Sequence, residues 1–405
     1  MRRILLIVAV AVVGLLGVVT AASGGQLPLG GPRPAVVDGA SAPSEDPEAP
    51  AEPPPTPVSV AYAPAVGASG VSPTEPATVT AAEGTLTDVK LADAEGEAVA
   101  GELAEDGRSW RSTADLAYDT SYTWTGTATG GDGAPVPLAG AFSTLDPQKV
   151  VRGVVNIGDG RVVGVAAPIR IQFNDHVADR AAVEQALSVQ TSVPVQGSWG
   201  WLQDENGGSR VDYRPREYWP ANTRVTVTAN LFGVAYGDGR YGAADVTSSF
   251  EIGRAQVVKA DARSFRMTVW RDGVQVADYP ASYGLDSDPE RNTRSGVHVV
   301  SEKFTDKRMV SERYGYDLIE KWAVRISNNG EFIHANPASG AAQGSANVSH
   351  GCVNLSTADA QAYYDTAVYG DPVEVTGTGV QLSPADGDIA DWTYSWEQWT
   401  GMSAL

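Results

Sequence analysis

Beyond residue 57 the chain alternates apolar and polar positions in short runs separated by turns. That period of two predicts strands rather than helices. Over residues 58–146 the runs include Ala77-Thr78-Val79-Thr80 and Tyr122-Thr123-Trp124-Thr125-Gly126-Thr127, closing on Phe142-Ser143-Thr144. A similar plan recurs over residues 147–253, with Ile169-Arg170-Ile171-Gln172-Phe173, then Arg224-Val225-Thr226-Val227-Thr228-Ala229, closing on Ser248-Ser249-Phe250-Glu251. Trp124 and Val227 stand 103 residues apart, and Phe142 and Phe250 stand 108 apart. Two consecutive β-sandwich modules of about 100 residues fit that spacing. Residues 254–376 read differently. Met267-Thr268-Val269-Trp270-Arg271-Asp272-Gly273-Val274-Gln275-Val276 is a strand, an Asp-Gly turn and a second strand, a hairpin signal. Gly296-Val297-His298-Val299-Val300 and Trp322-Ala323-Val324-Arg325-Ile326 continue the β pattern. One helix is predicted over residues 356–368, with Ser356 or Thr357 as N-cap and Asp359 in its first turn. In the tail, residues 377–405, Trp392, Trp396 and Trp399 have the spacing of one face of a short helix. Packing of that stripe on the domain before it is expected.

The N-terminal segment has another pattern. Met1-Arg2-Arg3 precedes an uncharged apolar run over residues 4–19, followed by the small residues Ala21, Ala22 and Ser23. Arginines ahead of such a run are what an export signal needs. The run is also close to the ~20 residues that span a bilayer core. Residues 1–23 are therefore expected to be a signal peptide or a membrane anchor, and either places the rest outside the cytoplasm. Membrane contact is expected only there. Residues 24–57 are rich in Pro, Ala and Gly and should behave as a stiff, extended linker.

Charge changes the picture only in part. The 405 residues carry a net charge of −20, which argues against nucleic acid as a partner. Residues 58–146 hold 13 acidic and 3 basic side chains, hence half of that charge, whereas residues 254–376 hold 16 and 13. The acidity describes the first module.

The chain has one cysteine, Cys352, in Ser349-His350-Gly351-Cys352-Val353-Asn354. An intramolecular disulfide and a multi-cysteine zinc site are thereby excluded. A lone thiol is either an inert buried residue or a nucleophile. A thiolate at neutral pH needs a base or cation nearby, and His334 and His350 lie within 18 residues. Cysteine acyl transfer is the resulting chemical expectation: Cys352 attacks a carbonyl, a histidine takes and returns its proton, and backbone N–H groups around Gly351 and Cys352 receive the oxyanion.

Those residues also resemble a known family. His334, a spacer of 14 residues, then Ser349-His350-Gly351-Cys352-Val353-Asn354 is similar to the signature of the L,D-transpeptidase (YkuD-type) catalytic domain. The run Arg214-Pro215-Arg216-Glu217-Tyr218-Trp219-Pro220 and the Trp-rich tail resemble large actinobacterial members with two immunoglobulin-like modules before it. The resemblance implies a mostly β chain: two immunoglobulin-like sandwiches, a β-rich catalytic domain with a short helix, and a C-terminal extension packed on that domain. It implies Cys352 as nucleophile and His334 as general base, oriented through the backbone carbonyl of Ala335. It further implies His350 beside the nucleophile, Gly351 in the oxyanion hole, and substrate contacts at Ser349, Asn354, Met309, Tyr314 and Tyr316. The partners implied are peptidoglycan stem peptides, a tetrapeptide donor and a diaminopimelate acceptor, with carbapenem-type β-lactams as covalent inhibitors. No metal or organic cofactor is implied. His298 and His176 are read as structural. An L,D-carboxypeptidase and an inactive wall-binding protein are the competing readings.

Overall fold

The computed structural model describes residues 56–386 and 389–405. The signal or anchor segment and nearly all of the Pro-rich linker lie outside the described residues. Strands dominate the described chain. Among the described residues, no helix is long and apolar enough to cross a membrane.

Two sandwiches come first. In one, a sheet of Ser59–Ala63, Thr78–Ala82, Ser109–Ser112 and Gly101–Leu103 faces a second sheet in which Ser121–Gly130 pairs with Gly84–Ala92, Pro135–Pro137 and Gly140–Ser143. Alternate residues turn inward, so Val79, Leu91, Trp110, Trp124 and Phe142 form one core. Trp110 meets Trp124 edge-on at 5.4 Å. In the other, Val225 and Val227 of Arg224–Ala229 pack with Ile169, Ile171, Phe173 and Trp219. The strand of Trp124 pairs with that of Phe142, and the strand of Val227 with that of Phe250. Tyr118 plugs the joint between the modules: its hydroxyl donates to Gly242 O at 2.8 Å and accepts from Gly233 N at 2.8 Å.

The C-terminal domain is two further sheets. We label its strands β1 (Gln256–Asp261), β2 (Arg266–Arg271), β3 (Val274–Pro280), β4 (Gly296–Val299), β5 (Glu302–Ser311), β6 (Tyr316–Arg325), β7 (Phe332–Ala335), β8 (Val353–Leu355) and β9 (Pro372–Thr376), and its helix α1 (Thr357–Thr366). One sheet runs β3-β2-β1-β9-β4 and the other β5-β6-β7-β8. The predicted hairpin is β2–β3, with Asp272 at φ 49° and Gly273 at φ 81°, the left-handed pair that an Asp-Gly turn accommodates. Ser356 caps α1, its hydroxyl accepting from Asp359 N. Apolar faces of the sheets and α1 meet in a core that includes Val258, Tyr283, Val324, Ile333, Val353 and Tyr363. The domain abuts the second sandwich closely. Gly164 N donates to Tyr369 O at 2.7 Å, and a Cβ on Gly164 would lie 2.3 Å from Asp371 N.

The tail departs from expectation in two ways. Its three tryptophans do not share one helix: Trp392 sits in a 3-10 turn (Asp391–Thr393), and only Trp396 and Trp399 lie in α2 (Trp396–Thr400). Their rings nevertheless surround one group, the Arg214 guanidinium, at 4.7, 5.5 and 5.1 Å from Trp392, Trp396 and Trp399. Arg214 belongs to the second sandwich, so the tail spans both neighbours: Leu382 N donates to Ser295 O at 2.7 Å and Asp386 pairs with Arg294 at 2.8 Å on the C-terminal domain, and the last residues close on the sandwich. The Trp399 indole N–H donates to Ser198 O at 2.9 Å, and the ring covers Gly200. The buried Glu184 carboxylate accepts from the Trp201 indole at 2.9 Å and from Ala404 N at 2.8 Å. Cation–π contact and a buried acceptor draw the tail across the joint. Trp399 is fully buried. Trp399→Ala should therefore cost about 3–5 kcal/mol, read as a lower urea midpoint, with Trp399→Phe recovering part of the loss.

Candidate functional site

The register between β7 and β8 builds the site. They run parallel with Ile333 opposite Val353 and His334 opposite Asn354. Cys352 immediately precedes β8, so the thiol arrives beside the His334 side of the pair. A parallel pair needs a crossover of a dozen residues or more, which is the origin of the 14-residue spacer in the motif.

The loop carrying Cys352 is fastened from several directions. Ser282 N donates to Asn354 O at 3.0 Å, and Asn354 N donates to Ser282 O at 2.8 Å. Thr293 Oγ1 donates to Gly351 O at 2.8 Å, and Arg291 Nε to Ser349 O at 3.2 Å. Gly351 has φ 118°, a conformation that a side chain would strain. Within the loop, Ser349 Oγ donates to Cys352 O at 2.6 Å and accepts from Gly351 N at 3.2 Å. The Gly351 N–H, expected in the oxyanion hole, thus has Ser349 Oγ as its partner here.

A cavity of about 340 Å³ opens above the thiol. Met309, Tyr314, Tyr316, His334, Ser349, His350, Cys352 and Asn354 all line it; Gly351 alone of the expected residues does not. Its lid is the β5–β6 hairpin, in which Met309 stands opposite Leu318. Both lid tyrosines reach inward and flank the exposed His350 ring, Tyr314 at 4.6 Å and Tyr316 at 5.3 Å. The Tyr314 hydroxyl and Asn354 Oδ1 are buried without a hydrogen-bond partner among the described residues. His298 is buried and bonded through Nε2 to Arg294 O at 2.8 Å, away from this cavity. His176 meets Asp204 at 2.6 Å in the second sandwich.

Sequence reasoning missed Glu320. Its Oε2 lies 3.6 Å from His334 Nδ1, which is also 3.0 Å from Ala335 O. The Ala335 carbonyl, with the Glu320 carboxylate close by, favours the proton on Nδ1 and leaves Nε2 for the thiol. Burial opposes a charge on His334, but the Cys352 sulfur, the Glu320 carboxylate and the Ala335 carbonyl outweigh it, pushing its pKa up to about 10. His350 moves the other way, lowered by burial and by the Arg291 guanidinium, with Asp288 opposing. Tyr316 is raised, first by burial and then by the charge of Cys352. The electrostatics thus separate the two histidines flanking the thiol: His334 holds a proton at neutral pH and His350 does not. Among the described residues, no cluster of three or more His, Cys, Asp or Glu side chains is placed to hold a metal ion.

The chain is similar to known proteins along most of its length. Residues 255–375 match the model of the L,D-transpeptidase catalytic domain, and residues 68–235 that of a bacterial Ig domain. L,D-transpeptidase 5 of Mycobacterium tuberculosis is 52% identical over 355 residues, which cover 87% of this chain and 78% of that protein. L,D-transpeptidase 2 of the same species is 37% identical over 346 residues, covering 84% and 83%. Among solved structures, an L,D-transpeptidase in complex with imipenem is 34% identical, covering 57% of this chain and 99% of that one, with a TM-score of 0.47. Relatives of this kind indicate an acyltransferase-type enzyme. This chain belongs to the L,D-transpeptidase family.

The opposite behaviour of the two histidines is measurable. In an NMR titration of the four imidazoles, His334 should stay protonated until near pH 10, whereas His350 should lose its proton below the ordinary histidine range. Assignment by His334→Gln and His350→Gln identifies the signals.

Proposed function

We propose that this chain acts outside the cytoplasm as a peptidoglycan L,D-transpeptidase working through a thioester on Cys352. The observation carrying this reading is the pairing of β7 with β8, which sets His334 beside the thiol inside a lidded cavity. The donor is a stem tetrapeptide. The Cys352 sulfur attacks the carbonyl joining meso-diaminopimelate to the terminal D-Ala, forming a C–S bond. Collapse of the tetrahedral intermediate breaks the C–N bond, and His334 delivers its proton to the departing D-Ala amine. The side-chain amine of a second diaminopimelate then attacks the thioester, passes a proton back to His334, and releases Cys352 with a three-to-three cross-link formed.

With the Gly351 N–H engaged by Ser349, the backbone donor for the oxyanion is the N–H of Cys352. One such donor is worth about 3–4 kcal/mol in the transition state. The open faces of Tyr314, Tyr316 and Met309 receive the donor peptide, and the unpartnered Asn354 Oδ1 and Tyr314 hydroxyl are free to meet its amides. A carbapenem offers a strained carbonyl where the donor offers an amide and acylates the same sulfur.

Incubation with disaccharide-tetrapeptide should release D-Ala and give a cross-linked dimer. Free D-Ala without dimer would make the protein an L,D-carboxypeptidase, with water resolving the thioester. Meropenem should add its mass to the intact chain and fail to do so with Cys352→Ala. His334→Ala should slow acylation by about 10²–10⁴-fold; an unchanged rate would remove His334 from its role.

A further inference from the structure

An irregularity in β6 has a chemical consequence. Against β7, Lys321 lies opposite Ala335 and Val324 opposite Ile333. Two residues, Trp322 and Ala323, therefore face His334 alone, which is a β-bulge, and Trp322 takes φ 55°. An extra residue reverses the in–out alternation of a strand. On the core side of the bulge Val324 packs with Ile333. On the lid side the residues of the same parity, Tyr316, Leu318 and Glu320, line the cavity instead. Without the bulge Glu320 would point to the opposite face of the sheet.

The neighbours of Glu320 direct it to the imidazole. Its cross-strand partner is Lys307 of β5, whose ammonium lies over the rings of Phe304 at 4.1 Å and Phe332 at 5.9 Å. Lys321, one residue on, is paired with Asp306 at 2.7 Å. The titratable groups meeting His334 are thus Glu320 from β6 and Cys352 from the loop before β8. Helix α1 turns Ala360 and Tyr363 into the core beneath β6 and β7. The Glu320 side chain is itself only 13% exposed.

We infer that Glu320 is a positioning residue for His334. Its carboxylate, brought over Nδ1 by the Trp322–Ala323 bulge, holds the ring in place and compensates its charge, so that the proton stays on the imidazole until the leaving amine takes it. This rests on the reading of His334 as the acid–base partner of Cys352.

The test is the pH profile of meropenem acylation in the full-length protein, from about pH 5 to about pH 10.5, for wild type, Glu320→Gln, Glu320→Asp and His334→Gln. Loss of the carboxylate should destabilise the imidazolium. The alkaline limb should then fall by about one pH unit in Glu320→Gln, a roughly tenfold lower rate on that limb, with the acid limb unmoved. Glu320→Asp keeps the charge but withdraws it from the ring, and should lie between. A wild-type alkaline limb in Glu320→Gln overturns the assignment, as does an effect confined to use of the muropeptide acceptor. Should the glutamine variant fail to fold, the aspartate variant decides alone: a lowered alkaline limb supports the inference and an unmoved one overturns it. Wild-type rates in His334→Gln would instead overturn the underlying reading, a result distinct from either.

Discussion

The parallel pairing of Phe332–Ala335 with Val353–Leu355 is the constraint on which the rest of the site depends. In the proposed mechanism a nucleophile and its proton carrier must meet, and the backbone ladder brings Cys352 and His334 together. Side chains at opposed positions of neighbouring strands share a face, so His334, its partner Asn354 and, two residues before it, Cys352 arrive together once the register is formed. A slip of one residue would send the imidazole to the other face. The register is in turn held by burial of Ile333, Ala335, Val353 and Leu355 in the core of the domain, so the hydrophobic packing that folds the domain also aligns its chemistry.

A charged pair inside protein is costly unless its surroundings compensate it. His334 is only 4% exposed, and three acceptors of different kinds meet it: a carbonyl, a carboxylate and the sulfur. The balance favours the imidazolium despite its burial. The same logic explains why His350, although adjacent to the thiol in sequence, has the opposite tendency. Partial burial and the Arg291 guanidinium both disfavour a positive charge on it. Sequence proximity alone could not separate the two.

The parts legible in the sequence were those in which local chemistry dictates structure. The Asp272-Gly273 turn, the Ser356 cap and the residues from Ser349 to Asn354 each follow from residue types within a few positions of one another. Their expected partners were not always right. Gly351 is a glycine because its φ of 118° requires one, and its N–H is bonded to Ser349 Oγ, a partner that the motif does not announce. Glu320 carried no signal, because a bulge reverses the alternation that would otherwise assign its face. The destination of the tail was hidden as well, since Trp399 and Ala404 meet Ser198 and Glu184 across about two hundred residues of chain. The aromatic spacing foretold a packed stripe but held no information about the cation that gathers it.

Rigidity is divided between the two walls of the cavity. The wall that carries Cys352 is tied to Ser282, Arg291 and Thr293 by bonds that leave its backbone little freedom. The opposite wall is a hairpin whose outer part is held mainly by its own ladder and leaves Val310, Leu318 and Ile319 more than half exposed. Few buried contacts mean a low cost of local opening. On the proposed function, chemistry that needs fixed geometry falls to the fastened loop and admission of a bulky peptide to the freer hairpin. Glu320 sits where the two meet: on the lid strand, but at the bulge that anchors that strand to β7. Its contact with His334 is therefore made at the anchored end of the hairpin and not at its exposed tip, which is where a residue that positions the proposed proton carrier needs to sit.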